Sequence, residues 1–244
     1  MNADAMFPFG QALLDYAEGF TDAELRIRRD DGLTVPVRVS SFFRSREQFS
    51  EIEREALDRC SGLILDVGAG SGLHSLILQE RGFRVRALDI NSHAVEVMRR
   101  RGVFDVQQMD IFEYAGEPCD TLLMLGHGIG MVEELEGLTR FLRAAHRFVR
   151  PGGQILIDSM DVTCSKDPLH TAYHETRRKL GDYVGQTRIR FEYRDLIGPE
   201  CGWLHVDPDT LAEQAQRTEW LSTTLLITAH GEHLTQLEQM GQWR

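Results

Sequence analysis

From Leu63 to Gly72 the chain reads Leu-Ile-Leu-Asp-Val-Gly-Ala-Gly-Ser-Gly, and this run constrains the fold more than any other. Its apolar start, without polar alternation, predicts a strand buried on both faces. Glycines at every second position then predict a tight turn in which the backbone approaches something closely, because a Cβ there would hold a ligand off. Leu73, Leu76 and Ile77 follow at helical spacing. The amides that open this helix would face a ligand seated on the turn. The spacing is Gly-x-Gly-x-Gly, which differs from the Gly-x-Gly-x-x-Gly of dinucleotide-binding turns.

Strand and helix patterns alternate from residue 61 onward, which predicts a parallel sheet. The strands are expected at 63–67, 85–89, 105–109, 120–125 and 155–158, and the helices at 71–81, 92–101 and 133–148. Pro151-Gly152-Gly153 is read as the stop before the fifth strand. A helix at 209–217 and two antiparallel strands at 220–228 and 231–239 complete the sheet. The expected fold is α/β, a Rossmann-like doubly wound, mostly parallel seven-stranded sheet with an antiparallel last strand.

Ahead of this core, 9–18 reads as a helix, 25–39 as a hairpin and 47–59 as a charged helix. Pro36 marks an edge strand in that hairpin. Residues 163–206 interrupt the rhythm with a polar helix near 166–180 and a hairpin of 187–193 with 203–206. The resulting division is an N-terminal helix and hairpin cap (1–60), a core (61–162), a lid or substrate insertion after strand five (163–206) and a C-terminal completion of the sheet (207–244).

Composition narrows the function. With 38 acidic against 27 basic side chains the net charge is −11, which argues against a nucleic-acid surface. Cys60, Cys119, Cys164 and Cys201 are widely spaced, predicting reduced thiols and no zinc site. No signal peptide and no apolar run of about 20 residues is seen, so a cytoplasmic location without a membrane partner is expected.

Asp89 ends the second predicted strand, beside the glycine turn in a doubly wound sheet. A carboxylate there can accept both hydroxyls of a nucleoside ribose. Together with Asp66 ahead of Gly68, Gly70 and Gly72, and with Val149-Arg150-Pro151-Gly152-Gly153-Gln154-Ile155-Leu156-Ile157-Asp158 downstream, the chain resembles the class I S-adenosylmethionine (SAM)-dependent methyltransferases, over residues 60–162 above all. That resemblance implies SAM as cofactor, lined by Gly68, Ala69, Gly70 and Gly72. It implies Asp110 near the adenine amino group, with Ile90 or Ile111 against the ring. Asp66 and the backbone near Leu125 and Gly126 would hold the methionine ammonium. Phe43-Arg44 and Gly202-Trp203-Leu204-His205-Val206-Asp207 are similar to a bacterial subset of the family. Relatives commonly carry Asn where His127 stands.

Methyl transfer needs alignment, and a base where the nucleophile is a hydroxyl or an ammonium. His127, in the glycine-rich loop after strand four, is the first candidate. His170, Tyr173 and His174 share a helix face by their i, i+3, i+4 spacing, so Tyr173 and His174 are further candidates. His170 and His174 lack a metalloenzyme motif, and no metal is expected. His205 is read as packing in the second hairpin. The expected function is methyl transfer from SAM to O, N or S of a small-molecule acceptor. The alternatives are a non-catalytic SAM- or partner-binding protein of the same fold, and a nicotinamide-dependent oxidoreductase.

Overall fold

The computed structural model describes residues 2–240. It is an α/β fold with a mostly parallel seven-stranded sheet of order β11-β12-β7-β6-β3-β4-β5. The chain divides into two compact units. Residues up to 114 with Arg188–Cys201 form the first, and Ala115–Thr187 with residues from 202 onward form the second.

In the first unit the central elements are β3 (Leu63–Val67), α3 (Leu73–Glu80), β4 (Arg84–Asp89), α4 (Ser92–Arg101) and β5 (Asp105–Gln108). β3 pairs with β4, and β4 with β5, all parallel. Every residue of β3 is buried, as its unbroken apolar run requires. Ala87, Val95, Met98 and Val103 form a core against which Ala69, Leu76 and Val106 pack. Asn91 starts α4 by accepting the amides of His93 and Ala94, and Gly102 ends it in the left-handed conformation.

The same unit carries α1 (Phe7–Ala17), the strands β1 (Glu24–Arg29) and β2 (Thr34–Arg38), and α2 (Glu51–Arg59). β1 pairs antiparallel with β2 on one side and with β8 (Gln186–Tyr193) on the other, Ile27 facing Phe191. β9 (Leu196–Ile197) pairs with β8. β2 is an edge strand, consistent with Pro36. Helix α2 begins in a reciprocal cap between Ser50 and Glu53. Burial alone would push the Glu53 carboxyl up; hydrogen bonds from His74 and the Ser50 amide, with the charges of His74 and Arg44, outweigh it and hold the group at about 2.

The second unit contains β6 (Cys119–Met124), α5 (Leu135–Ala145), β7 (Val149–Met160), α6 (Pro168–Leu180), β10 (Cys201–Leu204), α7 (Pro208–Arg217), β11 (Trp220–Ile227) and β12 (Glu232–Gln239). β6 runs parallel to β7, and β12 antiparallel to both β7 and β11. Leu138, Phe141 and Leu142 of α5 are fully buried, each contributing about 1.5–3 kcal/mol by the usual transfer scale. Trp220 anchors β11 by donating its indole N–H to the Leu142 carbonyl at 2.9 Å.

One expectation is corrected. Pro151-Gly152-Gly153 does not precede the strand but lies within β7, which starts at Val149. Cys119 faces Val149 and Thr121 already faces Gln154, so the four residues between bulge out of register. Gly152 accommodates this at φ 81°. Among the described residues no helix is long and apolar enough to cross a membrane.

Candidate functional site

In the first unit the site begins where β3 ends. Gly68, Gly70 and Gly72 all have positive φ, at 70°, 57° and 76°. The turn they form is tied to the end of β4, since the amides of Gly68 and Ala69 both donate to the Leu88 carbonyl. At Gly72 the absence of a side chain is also a packing requirement, because a Cβ would stand 2.8 Å from Val103 Cγ2. Phe9 of α1 lies over the turn, 3.8 Å from where a Gly70 Cβ would be, and the Ser71 hydroxyl donates to the Phe42 carbonyl. Gly10 permits a second contact: a Cβ there would fall 2.0 Å from Asn91 Oδ1, and Asn91 Nδ2 donates to the Met6 carbonyl at 2.6 Å.

Asp89 stands at the end of β4 and is 8% exposed. Its Oδ2 accepts the Gly70 amide at 2.9 Å and its Oδ1 the Asn91 amide at 2.8 Å. Burial pushes its carboxyl up to about 6, against the lowering effect of those amides. Each oxygen therefore has one N–H partner here and room for one more. Two hydroxyls on adjacent carbons fit that remaining capacity, so the residues present suit a nucleoside ribose.

Asp66 is placed differently from an exposed ligand. It is 2% exposed and accepts the Ser75 hydroxyl at 2.6 Å. Burial pushes its carboxyl up, partly offset by His74 and Ser75. Asp110 is half-buried and caps the short turn Ile111–Glu113 by accepting the Phe112 amide at 2.9 Å. Ile111 is buried, whereas Ile90 keeps a partly open face.

In the second unit β6 ends at Met124, and Leu125 behind it is buried. His127 follows in the left-handed region, φ 59° and ψ 29°, a conformation costing a residue with a side chain about 1–2 kcal/mol. The cost is met by position. The His127 amide donates to Asp158 Oδ1 at 2.9 Å, and its carbonyl accepts the Gly130 amide. Asp158, within β7 two residues before its end at Met160, is thus the residue that fixes the His127 loop; the sequence reading ends the strand at 158, whereas pairing with β12 carries it on to Met160.

His205 follows β10 and packs against the His127 ring. Its ring centroid is 5.7 Å from that of His127, with the rings near perpendicular at 76°. The Nδ1 atoms of both rings are shielded from solvent without a hydrogen-bond partner. Burial pushes His205 down to about 3, with the nearby His127 ring adding to it. Tyr173 and His174 are buried on α6, and the Tyr173 hydroxyl accepts Arg177 Nε at 3.0 Å and Nη2 at 2.7 Å. The His170 and His174 ring centroids are 6.4 Å apart. Among the described residues no group of three or more His, Cys, Asp or Glu could hold a metal ion.

A fold match spans almost the whole chain. A SAM-dependent methyltransferase from Bacteroides fragilis, solved with S-adenosylhomocysteine (SAH), is 33% identical with a TM-score of 0.85, covering 98% of this chain and 97% of that one. The chain belongs to the class I SAM-dependent methyltransferases. The methyltransferase-domain family model matches residues 65–157, from the end of β3 into β7. A ubiquinone biosynthesis O-methyltransferase of Xanthomonas oryzae pv. oryzae is 29% identical over 157 residues, 61% of this chain and 62% of the relative. A malonyl-[acyl-carrier protein] O-methyltransferase of Serratia marcescens is 28% identical over 180 residues, 66% and 68% of the two chains. The chain therefore spans under two thirds of the first of these two curated relatives. The cofactor of the family is SAM, which agrees with the capacity left on Asp89.

Proposed function

We propose that this protein transfers the methyl group of SAM to a small-molecule acceptor, at oxygen in preference to nitrogen or sulfur. The observation that carries the reading is Asp89, a buried carboxylate with one acceptor position left on each oxygen beside a left-handed glycine turn. Gly68, Ala69, Gly70 and Gly72 would line the cofactor, Asp89 would take its ribose, Ile90 and Ile111 would flank its adenine and Asp110 would meet the adenine amino group. Asp66 acts on the methionine end through the turn it braces with Ser75. Oxygen is favoured because both curated relatives named above are O-methyltransferases.

Bound SAM supplies an electrophilic methyl on a sulfonium. The chain's own contribution is to align and to move a proton. His127 is the base we assign, held by Asp158 with its ring nitrogen unpartnered. Tyr173 and His174 are secondary candidates for contacting the acceptor.

Calorimetric titration with SAM, SAH and NADH, followed by a labelled-methyl screen of hydroxyl acceptors, tests this. Saturable binding of SAM and SAH with label appearing in an ether or ester supports it. Binding of NADH alone would overturn it, and binding of SAM without turnover on any acceptor would make the protein a SAM-binding module.

A further inference from the structure

Four side-chain N or O atoms are buried without a hydrogen-bond partner among the described residues: Arg28 Nε, which has the Glu192 carboxylate at 3.9 Å, and the Nδ1 atoms of His93, His127 and His205. Two of the four belong to the rings of His127 and His205, whose centroids lie 5.7 Å apart. Buried ring nitrogens are ordinarily hydrogen-bonded, because leaving one unmade costs about 1–3 kcal/mol. This unit follows that rule elsewhere. His233, fully buried, places one nitrogen 2.9 Å from Thr235 Oγ1 and the other 2.8 Å from the Val206 carbonyl.

The segment that carries His205 is fixed along its length. The Trp203 carbonyl accepts Thr187 Oγ1, the His205 amide donates to the Gly185 carbonyl, the Val206 amide donates to Ser159 Oγ, and the Asp207 amide donates to the Tyr183 hydroxyl. Gly130 and Gly185 are what let it sit so close. A Cβ on Gly130 would be 2.1 Å from Trp203 Cε2, and one on Gly185 would be 1.9 Å from the His205 carbonyl oxygen. Packing alone would not need an unsatisfied imidazole in so rigid a place.

We infer that His127 and His205 form a two-ring grip on the acceptor's hydroxyl, the oxygen donating its proton to His127 Nδ1 and accepting Nδ1–H from His205. The inference rests on the methyltransferase reading and makes His205 its selecting residue. A hydroxyl has one O–H and two lone pairs. It can donate to one ring, accept from the other, and keep a lone pair for attack. An amine nitrogen has a single lone pair, so accepting from His205 would consume the pair that must form the new bond. The grip therefore selects alcohols and phenols over amines. In the step it serves, the O–H proton passes to His127, the oxygen forms the O–CH3 bond, and the S–CH3 bond breaks with its electron pair staying on sulfur. The imidazolium then returns the proton to water. His205 remains neutral throughout, as its depressed basicity requires, and serves only as donor.

The test uses SAH-loaded protein labelled with 15N-histidine, with phenol and aniline as probes matched in shape. Phenol should shift the Nδ1 resonances of His127 and His205 together, while aniline binds at least about tenfold more weakly, the value of one lost hydrogen bond in a buried site. His205→Phe should remove that preference, and His205→Gln, which keeps an N–H donor, should restore part of it. Phenol leaving both resonances unmoved, or phenol and aniline binding alike to the wild type, would overturn the grip. The wild-type measurement stands even if a variant fails to fold. Failure to load SAH at all would instead overturn the methyltransferase reading.

Discussion

Asp89→Asn separates cofactor recognition from stability. In the ligand-free protein Asp89 titrates at about 6 instead of 3.8, a rise of about two units. At 1.36 kcal/mol per unit, ionising it in place costs about 3 kcal/mol. The sign follows from which state holds the proton longer. The folded carboxyl does, so this group's contribution to stability falls as pH rises from near 3.8 through about 6 and is constant above that. Asparagine removes the charge but offers one acceptor oxygen, so one of the two amides from Gly70 and Asn91 loses its partner, at about 1–3 kcal/mol. The two effects largely cancel, and the melting temperature of the ligand-free variant at neutral pH should stay close to wild type.

Affinity behaves otherwise. Two hydroxyls donating to a carboxylate form charge-assisted bonds of about 1.5–3 kcal/mol each, and losing even one costs about tenfold or more. Wild-type affinity for SAH should also fall as pH drops below 6, by up to about tenfold per unit if only the carboxylate binds, and the variant should lack that limb. Calorimetry across pH 5 to 8 reads both. An affinity that the substitution leaves unchanged, or a pH limb that persists in Asp89→Asn, would refute the assignment of Asp89 to the ribose.

Ser75→Ala should lower unfolding stability in urea by about 1–3 kcal/mol, because the buried Asp66 carboxyl loses its hydroxyl donor; an unchanged midpoint would mean Asp66 is satisfied by other means. Glu53→Gln should flatten the acid limb of stability: the folded group is held at about 2 against 4.5, so its contribution of about 3 kcal/mol is full above 4.5 and vanishes as pH falls toward 2. Thermal melts at pH 7 and pH 3 should then differ less in the variant than in wild type. Gly130→Ala drives a methyl into the Trp203 indole and should destabilise by about 1–3 kcal/mol. It should impair methylation of any acceptor while leaving SAH affinity intact; unimpaired turnover would uncouple the His205 segment from catalysis.

Much of this architecture was legible because it rests on local pattern. The unbroken apolar run of β3 and the left-handed glycines after it are properties of consecutive residues, and β3 falls at 63–67 as read. β7 was misread at its start because Pro151-Gly152-Gly153 ordinarily ends an element, whereas here the pairing partners of β6 resume beyond a bulge. Sequence could find Asp89, whose strand-end place follows from the alternation. It could not find the pairing of His127 with His205, residues far apart in the chain that meet only because Gly130 and Gly185 admit the hairpin. Nor could it give Asp66 its partner, since a serine on the following helix carries no distinguishing signal.

The discontinuity of the first unit governs how the protein can be made. β1 is paired on one side by β2 and on the other by β8, which is synthesised long after the glycine turn has left the ribosome. Until Arg188–Cys201 emerge, the nascent chain carries Arg26, Ile27, Arg28 and Arg29 on an open strand edge, a template for wrong pairing that the charged residues restrain. A fragment ending at Tyr114 keeps the glycine turn and Asp89 yet leaves that edge open for good. Expressed alone, such a fragment should aggregate, and a separately supplied peptide of residues 186–201 should rescue it.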